Sequence, residues 1–230
     1  MKHTLLKTTA IAMALSVGVV QATEYKASTA EHPIKIVNLD ALENQVKENM
    51  DKGAFGYIRG GAEDENNLRS NTNAFNKKYI MPRALQGIEF SDLNLKTEFL
   101  GIKLDTPIIQ APMAAQGLAH QQGEVATAKG MAKAGSIFSL STYGNKTIKE
   151  VAQAQPGYPF FFQLYMSKND AFNQYILSQA KQYGAKGIIL TVDSPVGGYR
   201  EDDIKNSFQF PLGFANLEAF AKISDDKSKT

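Results

Sequence analysis

Three apolar runs in this chain end in polar side chains set two residues apart. They are Ser141 and Tyr143 in SLSTY, Gln163 and Tyr165 in FQLYM, and Thr191 and Asp193 in LTVDS. Residues i and i+2 of a strand share a face, so each pair points one way. The Gln163 carboxamide offers a donor and an acceptor together, which suits the edge of a pyrimidine-like ring, and the Tyr165 phenol beside it can hydrogen-bond a substrate oxygen. Asp193 at a strand end suits orienting a histidine or capping a helix, and no helix pattern starts directly after it. Arg200 can clamp a carboxylate. In APMAAQG, the small residues around Pro112, Met113 and Ala114 let a flat ligand lie against the backbone. Each feature also has a plainer reading: a satisfied buried Gln with a core Tyr, a surface Arg, close helix–strand packing, and for Tyr57 in FGYIRGG a simple core or surface ring.

The elements that would position these groups follow from the hydrophobic pattern. PIIQAPM, SIFSLST, PFFFQLYM and AKGIILTVDS are strand-like, and helical patterns in GEVATAKGMAKAG, TIKEVAQAQ and DAFNQYILSQAKQYG separate them. Such alternation predicts βα units in a parallel sheet, and near-continuous apolar runs suit strands covered on both faces. The polar groups gather at the strand C-termini, where a (β/α)₈ barrel carries its chemistry. The Gly53–Gly61 stretch follows a helix rather than a first strand, which speaks against a dinucleotide turn. Upstream, NLDALENQVKENM reads as a helix capped by Asn38 or Asp40, and the polar stretch up to Phe75 as helical. LNLKTEFLGIKLDTP reads as a hairpin.

Composition narrows the function classes. The 230 residues include no Cys and no Trp and are 43% hydrophobic, which suits one domain with a sizeable core. A basic start, MKHTLLK, precedes the apolar TTAIAMALSVGVV and the small-residue site VQA, so residues 1–22 read as a cleavable secretory signal cut after Ala22. Residues 23–33 read as a linker and 34–230 as the domain. Cleavage removes two lysines and no acid, leaving basic and acidic residues balanced at 23 each. Nothing then draws nucleic acid or an anionic membrane, and no later stretch could span a bilayer. Cys is absent and only His3, His32 and His120 are present, which argues against a metal centre.

The order of FGYIRGGAEDE, APMAAQGLAH, SLSTY, FQLYM, LTVDSPVGGYRE and DIKNSFQFP resembles the FMN-dependent α-hydroxy-acid oxidising family, and within it the lactate oxidases, over residues 33 to about 213. The resemblance implies a (β/α)₈ TIM-barrel type α/β fold. About four βα units of it are present here, behind an N-terminal helical segment and the hairpin. It implies FMN against Pro112, Met113 and Ala114, with the Ala114 amide near the flavin N5 and Ser141, Gln163 and Thr191 bonded to the ring system. Tyr57, Tyr143, Tyr165 and Arg200 would hold a small L-2-hydroxy acid on its way to the keto acid, with O₂ or another acceptor taking the electrons. Tyr165 and Asp193 would be the catalytic groups, Asp193 by supporting the catalytic histidine.

The family's base, in an HGGRQ-like segment, is not in this sequence, nor are its fifth-strand Lys and phosphate loops. His120 follows the first strand, so by motif it is a loop or packing residue. The expectation is therefore the N-terminal half of such an enzyme, with little or no turnover alone, since a missing base costs about 10²–10⁴-fold. A second polypeptide, or pairing of two copies, would complete the barrel. The rival expectation is a non-catalytic half-barrel that binds flavin weakly or a partner chain.

Overall fold

Local capping decides where the first helices begin. In the computed structural model, which describes residues 25–29, 36–194 and 196–227, α1 (Leu39–Asn49) starts where Asn38 Oδ1 accepts the Ala41 N–H at 2.7 Å. Asp51 does the same for α2 (Lys52–Arg59), accepting the Ala54 N–H at 2.9 Å. The Gly-rich stretch, for which the sequence pattern assigns no element of its own, is thus helical. Each helical glycine costs roughly 1 kcal/mol relative to alanine, and here contacts made elsewhere offset that cost. A Cβ on Gly53 would come within 2.8 Å of the Phe208 ring, and one on Gly56 within 2.7 Å of the Asn206 amide. Bare glycine backbone lets α2 press against the segment 202–208. α3 (Asn66–Asn73) follows.

The predicted hairpin forms from β1 (Thr97–Phe99) and β2 (Ile102–Leu104), antiparallel, with Phe99 opposite Ile102. Leu100 and Gly101 between them have φ of 50° and 76°, as a type I′ turn requires.

The βα rhythm then takes over as α4 (Glu124–Lys133), β3 (Phe138–Leu140), α5 (Ile148–Ala154), β4 (Phe160–Tyr165), α6 (Asp170–Gln182) and β5 (Gly187–Thr191). The sheet is parallel in the order β3-β4-β5. Alternation along the strands sorts their residues. Phe138, Leu140, Phe160, Phe162 and Leu164 join Ala128, Val151 and Ile176 of α4, α5 and α6 in the main core. On the opposite face Phe161 packs with Leu104 and Ile137, and Phe99 of the hairpin lies 6.2 Å from its ring, closing the N-terminal end of the sheet. Ser139, Gln163 and Thr191 share that face by register and alternation.

The first expected strand departs from regularity. Residues 108–115 run alongside β3, with Gln110 N bonded to Ile137 O at 3.2 Å, Met113 bridged to Leu140 and Ala115 N bonded to Tyr143 O at 3.1 Å. No continuous ladder forms, because Pro112 has no N–H and the Gln110 side chain takes the Ser139 N–H at 3.0 Å. After β5 come α7 (Glu201–Lys205) against α2, and α8 (Ala215–Lys227) against α6, where the Phe172 and Phe220 rings are 5.4 Å apart. The expected linker is partly packed. Tyr25 donates its hydroxyl to Leu118 O at 2.7 Å, and Ser28 pairs with His120. The proposed signal segment, and the linker apart from Tyr25–Thr29, lie outside the described residues. Among the described residues no helix is long and apolar enough to cross a membrane.

Candidate active site

The pairs singled out in the sequence converge at one end of the sheet. Gln163 is 3% exposed and both ends of its carboxamide are engaged. Oε1 accepts from the Thr142 N–H at 3.1 Å and the Ser141 hydroxyl at 3.3 Å, while Nε2 donates to Thr191 Oγ1 at 2.8 Å. Ser141, Gln163 and Thr191 thus form one hydrogen-bonded row across three adjacent strand tips. A row with this polarity has a chemical consequence. Thr191 Oγ1 receives a hydrogen bond, so its own proton is free to be donated, and Gln163 keeps a second amide proton. Backbone bonds make the row rigid: Thr142 Oγ1 donates to Gln163 O at 2.6 Å and accepts from Tyr165 N at 3.2 Å.

Pro112, Met113 and Ala114 lie beside this row through the Met113–Leu140 bridge and the bond from Ala115 to Tyr143. Tyr143 and Tyr165 stack with ring centroids 5.3 Å apart. A cavity of about 600 Å³ opens onto both of them and onto Leu190, Thr191 and Ser194. Tyr57 and Arg200 meet, with the guanidinium carbon 5.0 Å above the Tyr57 ring. Arg200 is already occupied. Its Nε donates to Asp203 Oδ2 at 2.7 Å and its Nη2 to the Tyr57 carbonyl. Burial raises the Tyr57 phenol above its ordinary range, Arg200 opposes this, and Asp203 and Tyr165 add to it. Tyr57 is therefore a neutral O–H donor at neutral pH.

Set beside known proteins, the chain finds a match over most of its length. The sequence profile of the FMN-dependent dehydrogenase family covers residues 46–229. This chain belongs to that family. It is 52% identical over 198 residues to an L-lactate oxidase of Lentilactobacillus hilgardii, a match spanning 86% of the chain and 53% of that protein. A glycolate oxidase of Spinacia oleracea is 39% identical over 190 residues, 83% of the chain and 50% of the relative. Among solved structures, a Pediococcus acidilactici lactate oxidase superposes with a TM-score of 0.83 at 52% identity, covering 86% of this chain and 55% of that one. A mandelate oxidase gives 0.73 at 28% identity, over 82% and 54%. The chain spans about half the length of the curated relatives it matches. Its sheet and hairpin are accordingly part of a TIM-barrel-type α/β fold, and FMN is the cofactor of its family.

Within this FMN-dependent dehydrogenase domain the structure adds residues that sequence reasoning missed. Phe210 and Phe214 link the two tyrosine groups ring by ring. Centroid distances are 4.9 Å from Tyr57 to Phe210, 5.2 Å from Phe210 to Phe214 and 4.9 Å from Phe214 to Tyr143. The aromatic spacing in SFQFPLGF was the only signal for them. Asp203 was missed as well, although Arg and Asp three apart on a helical turn are natural partners. One expected group is not drawn in. Asp193 is exposed and has no hydrogen-bond or ion-pair partner among the described residues. His120 sits on the turn against Ser28, its Nδ1 accepting from Gln122 N at 3.1 Å.

Proposed function

We propose that this chain supplies the cofactor-facing wall of an enzyme that oxidises a small L-2-hydroxy acid, L-lactate foremost, to its 2-keto acid. The observation that carries the reading is the buried carboxamide of Gln163 tying Ser141 to Thr191 on a single face. The donor set fits a flavin: outward hydroxyl and amide protons suit a ring edge rich in oxygen and nitrogen acceptors, and Pro112, Met113 and Ala114 offer a low, flat wall. FMN held by Ser141, Gln163 and Thr191 would supply the acceptor for the hydride leaving the substrate's α-carbon, with O₂ or another acceptor to reoxidise it.

The chain's own residues then divide the work. Ser141, Gln163 and Thr191 hold the ring edge. Tyr57, Tyr143 and Tyr165 donate hydrogen bonds to substrate oxygens, Tyr165 being the catalytic donor at the reacting hydroxyl. Arg200 brings positive charge to the carboxylate from a position fixed by Asp203. Asp193, exposed just past β5, would support the base that takes the substrate's hydroxyl proton, a group these residues do not include. Exposed apolar side chains favour a second chain, or a second copy, that would cover them: Phe75 is 79% exposed, Tyr79 91% and Ile80 95%.

Titrating the 230-residue chain with FMN tests the reading. Saturable, stoichiometric quenching of flavin fluorescence is expected, with no oxidation of added L-lactate. Unchanged fluorescence with chain in excess would sink it. We also propose export with cleavage after Ala22, supported by the sequence of residues 1–22 alone. N-terminal sequencing of the exported protein should begin at Thr23, and an intact Met1 would count against it.

A further inference from the structure

We propose that Glu124 is a positioning residue for the flavin-facing wall, although it lies on neither the strand tips nor the aromatic run; its link to cofactor rests on the flavin reading above. Glu124 opens α4 and is fully buried, an unusual place for a carboxylate. It does not cap its own helix. The N-cap position is Gly123, with φ of 49° and no side-chain bond.

The side chain reaches two neighbouring loops instead. Glu124 Oε1 accepts the Gln116 N–H at 3.0 Å and the Asn145 N–H at 3.1 Å. Asn145 extends the clasp, its Oδ1 accepting from Gly117 N at 3.0 Å and its Nδ2 donating to Gly213 O at 2.8 Å. Through these bonds one carboxylate joins the loop carrying Pro112–Ala114, the loop after β3 carrying Tyr143, and the segment that presents Phe214.

The first of those loops is strained. Ala115 is fully buried with φ of 54°, a left-handed conformation that L side chains rarely adopt. A residue held there needs its surroundings to fix it. The Ala115 N–H goes to Tyr143 O, and the next N–H, that of Gln116, goes to Glu124. Glu124 therefore holds the turn that sets where Ala114 meets the cofactor.

The test uses the full 230-residue chain and its E124A, E124Q and I176A variants. Ile176 is an equally buried core side chain on α6, apart from these loops. E124A should speed amide exchange at Gln116 and Asn145 by about tenfold or more while the β4 amides stay protected. E124Q keeps an oxygen acceptor in the same place and should restore most of the protection. Affinity for FMN should follow the same order, weakening about tenfold in E124A and recovering in E124Q. Where E124A does not fold, E124D, which withdraws the carboxylate by one methylene, carries the same expectation. Unchanged protection at the two amides, or equal loss in I176A, would overturn the proposal. A wild-type chain that ignores FMN would overturn the flavin reading alone, because the exchange data still decide whether Glu124 fixes the loops.

Discussion

Gln163→Leu is expected to abolish detectable FMN binding and to destabilise the fold by about 2–4 kcal/mol. The substitution keeps much of the side-chain volume and deletes every polar function. It leaves the Thr142 N–H, the Ser141 hydroxyl and Thr191 Oγ1 facing an apolar group, and Thr142 and Ser141 are only 2% and 4% exposed. A buried polar group stripped of its partner costs about 1–3 kcal/mol, more than the net gain from making the bond. Flavin affinity falls further because Thr191 loses the donor that aims its proton outward. Urea unfolding and a flavin titration measure the two effects. Normal FMN affinity in this variant would show that the row is an ordinary core network.

The second large effect concerns the face behind the row. Phe162→Ala should cost about 3–5 kcal/mol, since it deletes a large, fully buried ring from the middle of the central strand. Against a typical total of about 5–15 kcal/mol, that loss should leave a chain with shallow or absent cooperative unfolding. Ile188 makes the matched comparison. It lies opposite Phe162 in the β4–β5 register but is 42% exposed, and Ile188→Ala should cost roughly 1 kcal/mol or less. Equal losses in denaturant midpoint for the two variants would mean that the helix-covered face is not the core that holds the strand tips in place.

The strand tips were legible because Gln163, Ser141 and Thr191 interrupt apolar runs at the spacing that fixes their side. Period-two alternation is a local property, so the sequence carries it openly. What escaped depends on partners far along the chain. α2 was unreadable because Gly53 and Gly56 weaken a helix on propensity alone, and their use is an approach to Phe208 and Asn206. Tyr25 sits in a polar segment that looks like a linker until its bond to Leu118 is seen, 93 positions away. The first strand was legible in position and not in regularity, since Pro112 removes a donor while the Gln110 side chain substitutes for backbone. Arg200 was expected to clamp a substrate carboxylate; its partners among the described residues are the Asp203 carboxylate, three positions away, and the Tyr57 carbonyl, 143 positions away.

On the proposed function, Ala114, Ser141, Gln163 and Thr191 face one flat ligand from one side of the sheet. Backbone amide chemical shifts recorded while FMN is added to the labelled chain test it most directly. The largest changes should fall on those four residues and their neighbours Tyr143 and Tyr165, with α4, α5 and α6 unmoved. Shifts scattered over the helices, or concentrated away from the strand tips, would contradict it.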